Sequence, residues 1–335
     1  RSPGIPYFTR ELQATRKKGV AISSATKLFF DAIASLPARQ KPILIGITGS
    51  KGKGTTATLL YQILKRAGKK AVLAGNIGVP LLNIFSAAKH AEYIIIELSS
   101  FQLQDLHRSP HIAVVLDIFP EHLDYHKNEK EYYAAKSSIA RFQKGGDAVF
   151  YFSDNVRSKR ISTRGNGKKI AVTPSANTLK KNFEMAAAVA RYLNIPKGTI
   201  DKAIASFKGL EHRLESIRAI KVNKPYSNVL KNIGITFIND SAATNPEATS
   251  LAVRTFRAPL ILIAGGKDKG LDYSRLGMAV REATNLQLAV LFGENREKIR
   301  AAIRAEFNGN KKLIAAPYIT IVTNLQQAVE KAYAF

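Results

Sequence analysis

The 335-residue chain has no cysteine, which excludes a disulfide framework and thiol catalysis. No apolar run approaches the roughly 18 residues that a membrane-spanning helix needs, so a bilayer-crossing chain is not expected. Nor does a signal-like apolar segment stand near the start, which leaves the cytoplasm as the expected compartment. Carboxylates are scarce: 25 Asp and Glu face 51 Lys and Arg, and the resulting formal charge of +26 would attract phosphates of any kind. The basic residues are scattered, as in Lys65-Arg66, Lys69-Lys70, Arg157 to Lys169, Lys180-Lys181 and Lys311-Lys312. No aromatic-interleaved recognition motif accompanies them. A solvated basic surface is therefore favoured over polyanion binding, and nucleic acid is not expected as a partner.

What is present is ordinary globular material, 45% hydrophobic and 23% charged, on a chain long enough for two domains. Strand-length apolar runs alternate with segments of helical period, the pattern of parallel sheets covered by helices, so the fold class is α/β. Ile43 to Ile47, Ala71 to Ala74, Tyr93 to Glu97, Ile112 to Leu116 and Ala148 to Phe152 read as strands. Thr55 to Ala67, Glu129 to Phe142 and Lys180 to Leu193 read as helices. The polar stretch Ser153 to Lys169 lacks apolar periodicity and reads as an exposed hairpin or loop. A second α/β rhythm starts near Leu214, with strands at Ile235 to Asn239, Leu260 to Ala264, Leu288 to Phe292 and Tyr318 to Val322. The expected divisions are 1–36 as a remnant of, or linker from, a preceding domain, 37–210 as a P-loop-containing parallel-sheet domain, and 211–335 as a Rossmann-like domain.

The strongest chemical signal is an apolar strand running into Thr48-Gly49-Ser50-Lys51-Gly52-Lys53-Gly54-Thr55-Thr56 and then a helix. Glycines let backbone N–H groups converge on phosphate oxygens, the helix N-terminus adds partial positive charge, and Lys53 would neutralise the β/γ-phosphates. The general P-loop pattern puts glycine where Ile47 stands and Ser or Thr where Gly54 stands. A hydroxyl ligand for Mg²⁺ must then come from Thr55 or Thr56, or water must serve. Glu97 closes a buried strand, at the end where open α/β sheets bind ligands, and could hold a metal ion near the phosphates. A third strand runs into Asp117, Glu121, His122 and Asp124, which puts a histidine and carboxylates at the same sheet edge.

The ordered segments TGSKGKGTT, GNIG, ELSSFQL, PEHLDYH, AAK, GLEHR and NDSAATNPEA resemble those of the Mur ligase family along nearly the whole chain. Within it, ELSSFQL is similar to the branch that adds D-glutamate to UDP-N-acetylmuramoyl-L-alanine. The resemblance implies an ATP-dependent, amide-forming ligase of peptidoglycan precursor synthesis that works through an acyl phosphate. It is expected to be a monomer acting on small-molecule substrates, with two Mg²⁺ ions. Gly49, Ser50, Lys51, Gly52, Lys53, Gly54 and Thr55 would hold the ATP phosphates, with Asn182, Arg213 and Asp240 also on the nucleotide. Thr55, Glu97, His122 and Lys136 would serve the metal, Asn76, Ser99 and His122 the UDP-muramoyl substrate, and Lys269 the acidic amino acid. Lys53, His122, Lys136 and Lys269 would be the catalytic set, and Lys136 matches a family lysine that becomes a carbamate. The resemblance also implies that a UDP-binding domain before Arg1 and a glutamate-contacting segment after Phe335 are missing.

Three departures stand out: Gly54 after the P-loop lysine, Ala242 where the family has lysine, and Lys181-Asn182-Phe183-Glu184-Met185 in place of HNxxN. They leave two alternative readings. One is another Mur or folylpolyglutamate-type ligase; the other is a nucleotide- or polyanion-binding relative without ligase activity.

Overall fold

The computed structural model describes residues 1–2, 4–76, 79–122, 125–175, 178–222, 233–307 and 315–335. Ile77-Gly78, Leu123-Asp124 and Lys311-Lys312 of the motifs above lie outside them. The chain divides into two compact units, Arg1–Lys208 and Gly209–Phe335.

In the first unit the elements run α1 (Arg10–Lys17), α2 (Ala25–Ala34), β1 (Ile43–Thr48), α3 (Lys53–Arg66), β2 (Ala71–Gly75), α4 (Phe85–Ala88), β3 (Tyr93–Glu97) and α5 (Ser100–Leu103). They continue with β4 (Ile112–Val115), α6 (Glu129–Arg141), β5 (Ala148–Phe152), α7 (Val156–Ser162), β6 (Lys168–Val172), α8 (Thr178–Tyr192) and α9 (Lys197–Ser206). The strands form one sheet in the order β2-β3-β1-β4-β5-β6, with every pairing parallel. Successive side chains of a strand point to opposite faces, and both faces are apolar here. Ile45 and Ile47 of β1 join α3, α8 and α9 in one core, whereas Leu44 joins α2, α5 and α6 in the other. Strand order reverses between β1 and β4, which places a ligand crevice beyond their carboxyl ends.

Two readings of the sequence change. Ser153 to Lys169 is not a hairpin or loop: it holds α7 and the start of edge strand β6. α7 carries no apolar stripe because its inner face has one apolar residue, Ile161, beside Ser158 and Ser162, and Ser158 Oγ donates to Val115 O at 2.7 Å. The 1–36 segment contributes α2 to the second core, with Phe29, Phe30 and Ile33 buried.

The second unit contains β7 (Glu215–Val222), β8 (Ile233–Asn239), α10 (Pro246–Thr255), β9 (Leu260–Gly266), α11 (Ser274–Glu282), β10 (Leu286–Gly293), α12 (Arg296–Phe307), β11 (Tyr318–Ile321) and α13 (Leu325–Ala334). β9, β10 and β11 form a parallel sheet in the order β11-β10-β9. One face packs against α10, α11 and α12, the other against α13. β7 and β8 pair antiparallel as a separate ribbon, so β8 does not belong to the parallel sheet that follows it.

Removing a fully buried ring leaves a cavity as well as lost apolar contact, so Phe29→Ala should lower the stability of the first unit by about 3–5 kcal/mol in urea unfolding. A loss below about 1 kcal/mol would show that α2 is not part of this core.

Candidate active site

The loop between β1 and α3 is fixed from both sides. A Cβ built on Gly49 would lie 2.7 Å from Leu116 Cβ, so only glycine lets the loop pass the end of β4. Ser50 N donates to Asp117 O at 2.7 Å. Ser50 Oγ donates to Phe119 O (2.7 Å), accepts from Phe119 N (3.0 Å) and shares a 2.9 Å hydrogen bond with the Tyr132 hydroxyl. Burial pushes that phenol well above its ordinary pKa, so it stays a neutral donor. Gly52 then turns the chain at φ +82° with Asn182 of α8 against it. No side chain caps α3, which leaves first-turn N–H groups to an anion.

Lys53 Nζ folds back to donate to Gly49 O (3.0 Å) and Ser50 O (3.1 Å). Lys136 Nζ, from the middle of α6, donates to the same Gly49 O at 3.0 Å and lies 3.5 Å from Thr48 Oγ1. Two amines thus converge on one carbonyl. Lys136 is fully buried, and its pKa is held well below the ordinary lysine value, first by burial and then by the Lys53 charge, against an opposing pull from Glu121 and Glu97. Burial thus favours the uncharged form of the amine at this position.

Glu97 is buried where β3 ends, three residues before Ser100. Asn76 N donates to Glu97 O (3.0 Å), and Asn76 Nδ2 lies 3.4 Å from Glu97 Oε1. Ser99 caps α5: its Oγ accepts from Gln102 N (3.2 Å), and the Gln102 side chain returns to Ser99. His122 has φ +56° and packs its ring 4.8 Å from that of Phe101. Of the two threonines that could replace the missing hydroxyl, Thr55 is partly accessible, while Thr56 Oγ1 is buried without a hydrogen-bond partner. Among the described residues no group of three or more His, Cys, Asp or Glu is arranged to hold a metal ion. Side chains of other types and bound phosphate would have to complete the shell.

Near α8, Lys181 Nζ bridges Asp117 (2.8 Å) and Asp154 (3.0 Å), and Met185 is wholly in the core. In the second unit, Arg213 stands between His212 (φ +62°) and Leu214 (φ +47°), conformations rare for such residues. Asp240 Oδ1 accepts from Leu214 N at 3.0 Å and Ala242 N donates to His212 O at 2.9 Å, so the Arg213 and Asp240 loops meet. Lys269 is exposed on the loop after β9; its neighbour Asp268 pairs with Lys298 at 2.6 Å, the contact that most lowers its carboxyl pKa.

Sequence reading assigned no role to Tyr132, Ser100, His126, Glu131 or Lys181, although all stand in or beside the quoted motifs. Buried Ser100 and His126 and the partly buried Glu131 form a chain in which His126 Nδ1 meets the Glu131 carboxylate and Nε2 lies 2.9 Å from Ser100 Oγ. Arg1 lies against the same cluster, with its guanidinium 3.2 Å from Asp105 and 2.7 Å from the Tyr125 hydroxyl. The only available signal was a histidine two residues past PEHLD, which resembles any polar loop residue.

The pH dependence of folding reports Lys136 directly. The unfolded lysine, with a pKa of about 10.4, holds a proton that the folded one sheds. Stability therefore rises with pH between the depressed value and about 10.4 and is lost as pH falls. Urea unfolding in bicarbonate-free buffer should show this slope, and Lys136→Met should flatten it; equal slopes would contradict the assignment.

The family model described as Mur ligase middle domain matches residues 47–207, and that described as Mur ligase, glutamate ligase domain matches residues 227–334. The UDP-N-acetylmuramoylalanine--D-glutamate ligase of Acetivibrio thermocellus is 32% identical over all of this chain and 74% of its own length; that of Bacillus subtilis is 31% identical, with the same coverage. MurF from Acinetobacter baumannii shares the fold, with a TM-score of 0.67 at 17% identity over 92% of this chain and 73% of its own. E. coli FolC does so with a TM-score of 0.63 at 15% identity, covering 100% and 93%. By these matches, and by the motifs that build the site, the chain belongs to the Mur ligase family.

Proposed function

We propose that the protein is an ATP-dependent ligase that adds D-glutamate to UDP-N-acetylmuramoyl-L-alanine in peptidoglycan precursor synthesis. The observation that carries this reading is the pair of amines on Gly49 O, one beside an uncapped helix N-terminus and the other fully buried. The uncapped first turn of α3 and Lys53 fit a polyphosphate, so ATP would lie with its phosphates along Ser50 to Thr55. Asn182, Arg213 and Asp240 are proposed nucleotide contacts, and Asn76, Ser99 and His122 are proposed substrate contacts, with Lys269 toward D-glutamate.

Glu97, His122 and Thr55 fit Mg²⁺ as oxygen and nitrogen donors near that track. A neutral Lys136 amine can attack CO₂, forming a C–N bond and releasing one proton to water; the carbamate replaces a cation with oxygen ligands of the kind Mg²⁺ prefers. Mg²⁺, when bound, would offset the repulsion between the substrate carboxylate and the γ-phosphate. The residues do the positioning. The substrate carboxylate attacks the γ-phosphorus with ADP leaving, and Lys53 stabilises charge that builds on the transferring oxygens. The amine of D-glutamate then attacks the acyl carbon of the acyl phosphate, loses a proton, and expels phosphate to leave the amide.

Calorimetry with Mg²⁺ present should show nucleotide affinity lost in Lys53→Ala; unchanged affinity would remove the phosphate-loop assignment. Phosphate release by the full-length protein should require both UDP-N-acetylmuramoyl-L-alanine and D-glutamate. Turnover with a diamino acid or a folate instead of D-glutamate would shift the substrate assignment within the family. Lys136→Ala should abolish turnover, with partial rescue by a short carboxylic acid; wild-type turnover in that variant would overturn the carbamate.

A further inference from the structure

His126 stands at the junction of the elements that carry the proposed metal-binding groups, and its backbone N–H donates to His122 O at 2.9 Å. Its ring is buried. Nδ1 bonds the carboxylate of Glu131, which lies in the first turn of α6, five residues before Lys136. The other oxygen of that carboxylate accepts from Gln104 Nε2, just past α5. Nε2 bonds Ser100 Oγ at 2.9 Å, at the start of α5 and three residues after Glu97. Ring contacts complete the hub: His126 stacks on Phe101 at 5.7 Å and meets Tyr132 edge-on at 5.3 Å. Phe101 in turn packs against His122 at 4.8 Å, and Tyr132 holds Ser50 of the phosphate loop.

We infer that His126 is a positioning residue: by joining Glu131 on α6 to Ser100 on α5, it fixes the spacing between Lys136 and Glu97 and so sets the affinity of the site for its divalent cation. A buried imidazole with both nitrogens engaged has one tautomer and one orientation for each protonation arrangement of its partners. It therefore works as a rigid strut, where a single hydrogen bond would act as a hinge. The α6 end of the strut is charge-assisted, which makes it the stiffer half. A cation held by few protein ligands is sensitive to small errors in their separation. Residues that orient ligands without touching the metal typically change its affinity by about 10- to 100-fold when removed.

This inference rests on the proposed roles of Lys136 and Glu97, and its test separates the two. Mn²⁺ serves as the probe, with free Mn²⁺ followed by electron paramagnetic resonance in the full-length protein with bicarbonate and a non-hydrolysable ATP analogue. His126→Phe keeps the ring contacts and removes both hydrogen bonds. It should weaken Mn²⁺ binding at least about tenfold while leaving affinity for the analogue, measured at saturating Mn²⁺, within about twofold. Ser100→Ala cuts one link with less disturbance, and should shift Mn²⁺ affinity the same way if His126→Phe fails to fold. Unchanged Mn²⁺ affinity in whichever of these variants folds, or an equal loss of metal and analogue binding, would overturn the positioning role. Lys136→Ala and Glu97→Gln are the reference pair: wild-type Mn²⁺ affinity in both would instead overturn the metal assignment on which the inference rests.

Discussion

A lysine side chain taken wholly out of water costs several kcal/mol if it keeps its charge, and the hydrogen bonds of Lys136 run to a carbonyl and a hydroxyl instead of a carboxylate. It receives a carbonyl, a threonine hydroxyl and the edge of a charged neighbour, Lys53. The first unit is arranged around this amine. Gly49 must be glycine for its carbonyl to lie where both lysines reach it, Ser50 must be anchored to Phe119 and Tyr132 for that carbonyl to stay put, and α6 must begin at Asn128 for Lys136 to arrive at the right depth. Glu97 and Glu121 draw the amine back towards its charged form, so protonation here is a balance that a bound anion or cation would shift.

The parallel sheet was legible because strands buried on both faces read as unbroken Ile and Val runs; Ile94-Ile95-Ile96 leaves little else to propose. Strand ends carrying Thr48, Glu97 and Asp117 were legible for the same reason, since a polar residue after such a run has few roles other than facing a ligand. α7 was hidden because its buried face sets Ser158 and Ser162 beside a single apolar residue, Ile161, and a hydroxyl is buried cheaply only where a carbonyl such as that of Val115 receives it. β6 was hidden because an edge strand with lysines at its start looks like a loop. The β7–β8 ribbon escaped because Glu215 to Val222 interleaves charged and apolar residues over a span with a register shift between Ser216 and Arg218.

Within the first unit, Lys53 and Lys136 meet at Gly49 O, and the residues that the motifs left unnamed hold the surrounding elements in place. Tyr132 and Glu131 sit on a helix whose sequence shows only ordinary amphipathic spacing. Their roles depend on partners 82 and 31 positions away along the chain, respectively Ser50 and Ser100 through His126. Such long-range hydrogen bonds leave no local periodicity. Met185 is the reverse case: the motif comparison marks it as a departure, and the core explains it as a well-packed apolar residue of α8.

Asp117 uses its two functional groups in different directions. Its carbonyl holds Ser50 N of the phosphate loop, while its carboxylate holds Lys181 of the helix that presents Asn182 to Gly52. The loop proposed to hold phosphate and the helix that carries Asn182 therefore share one residue as an anchor. A group that binds at one end and tightens Asp117 reduces the freedom remaining at the other, so two halves of a split ligand would bind with a free energy that exceeds the sum of their separate values.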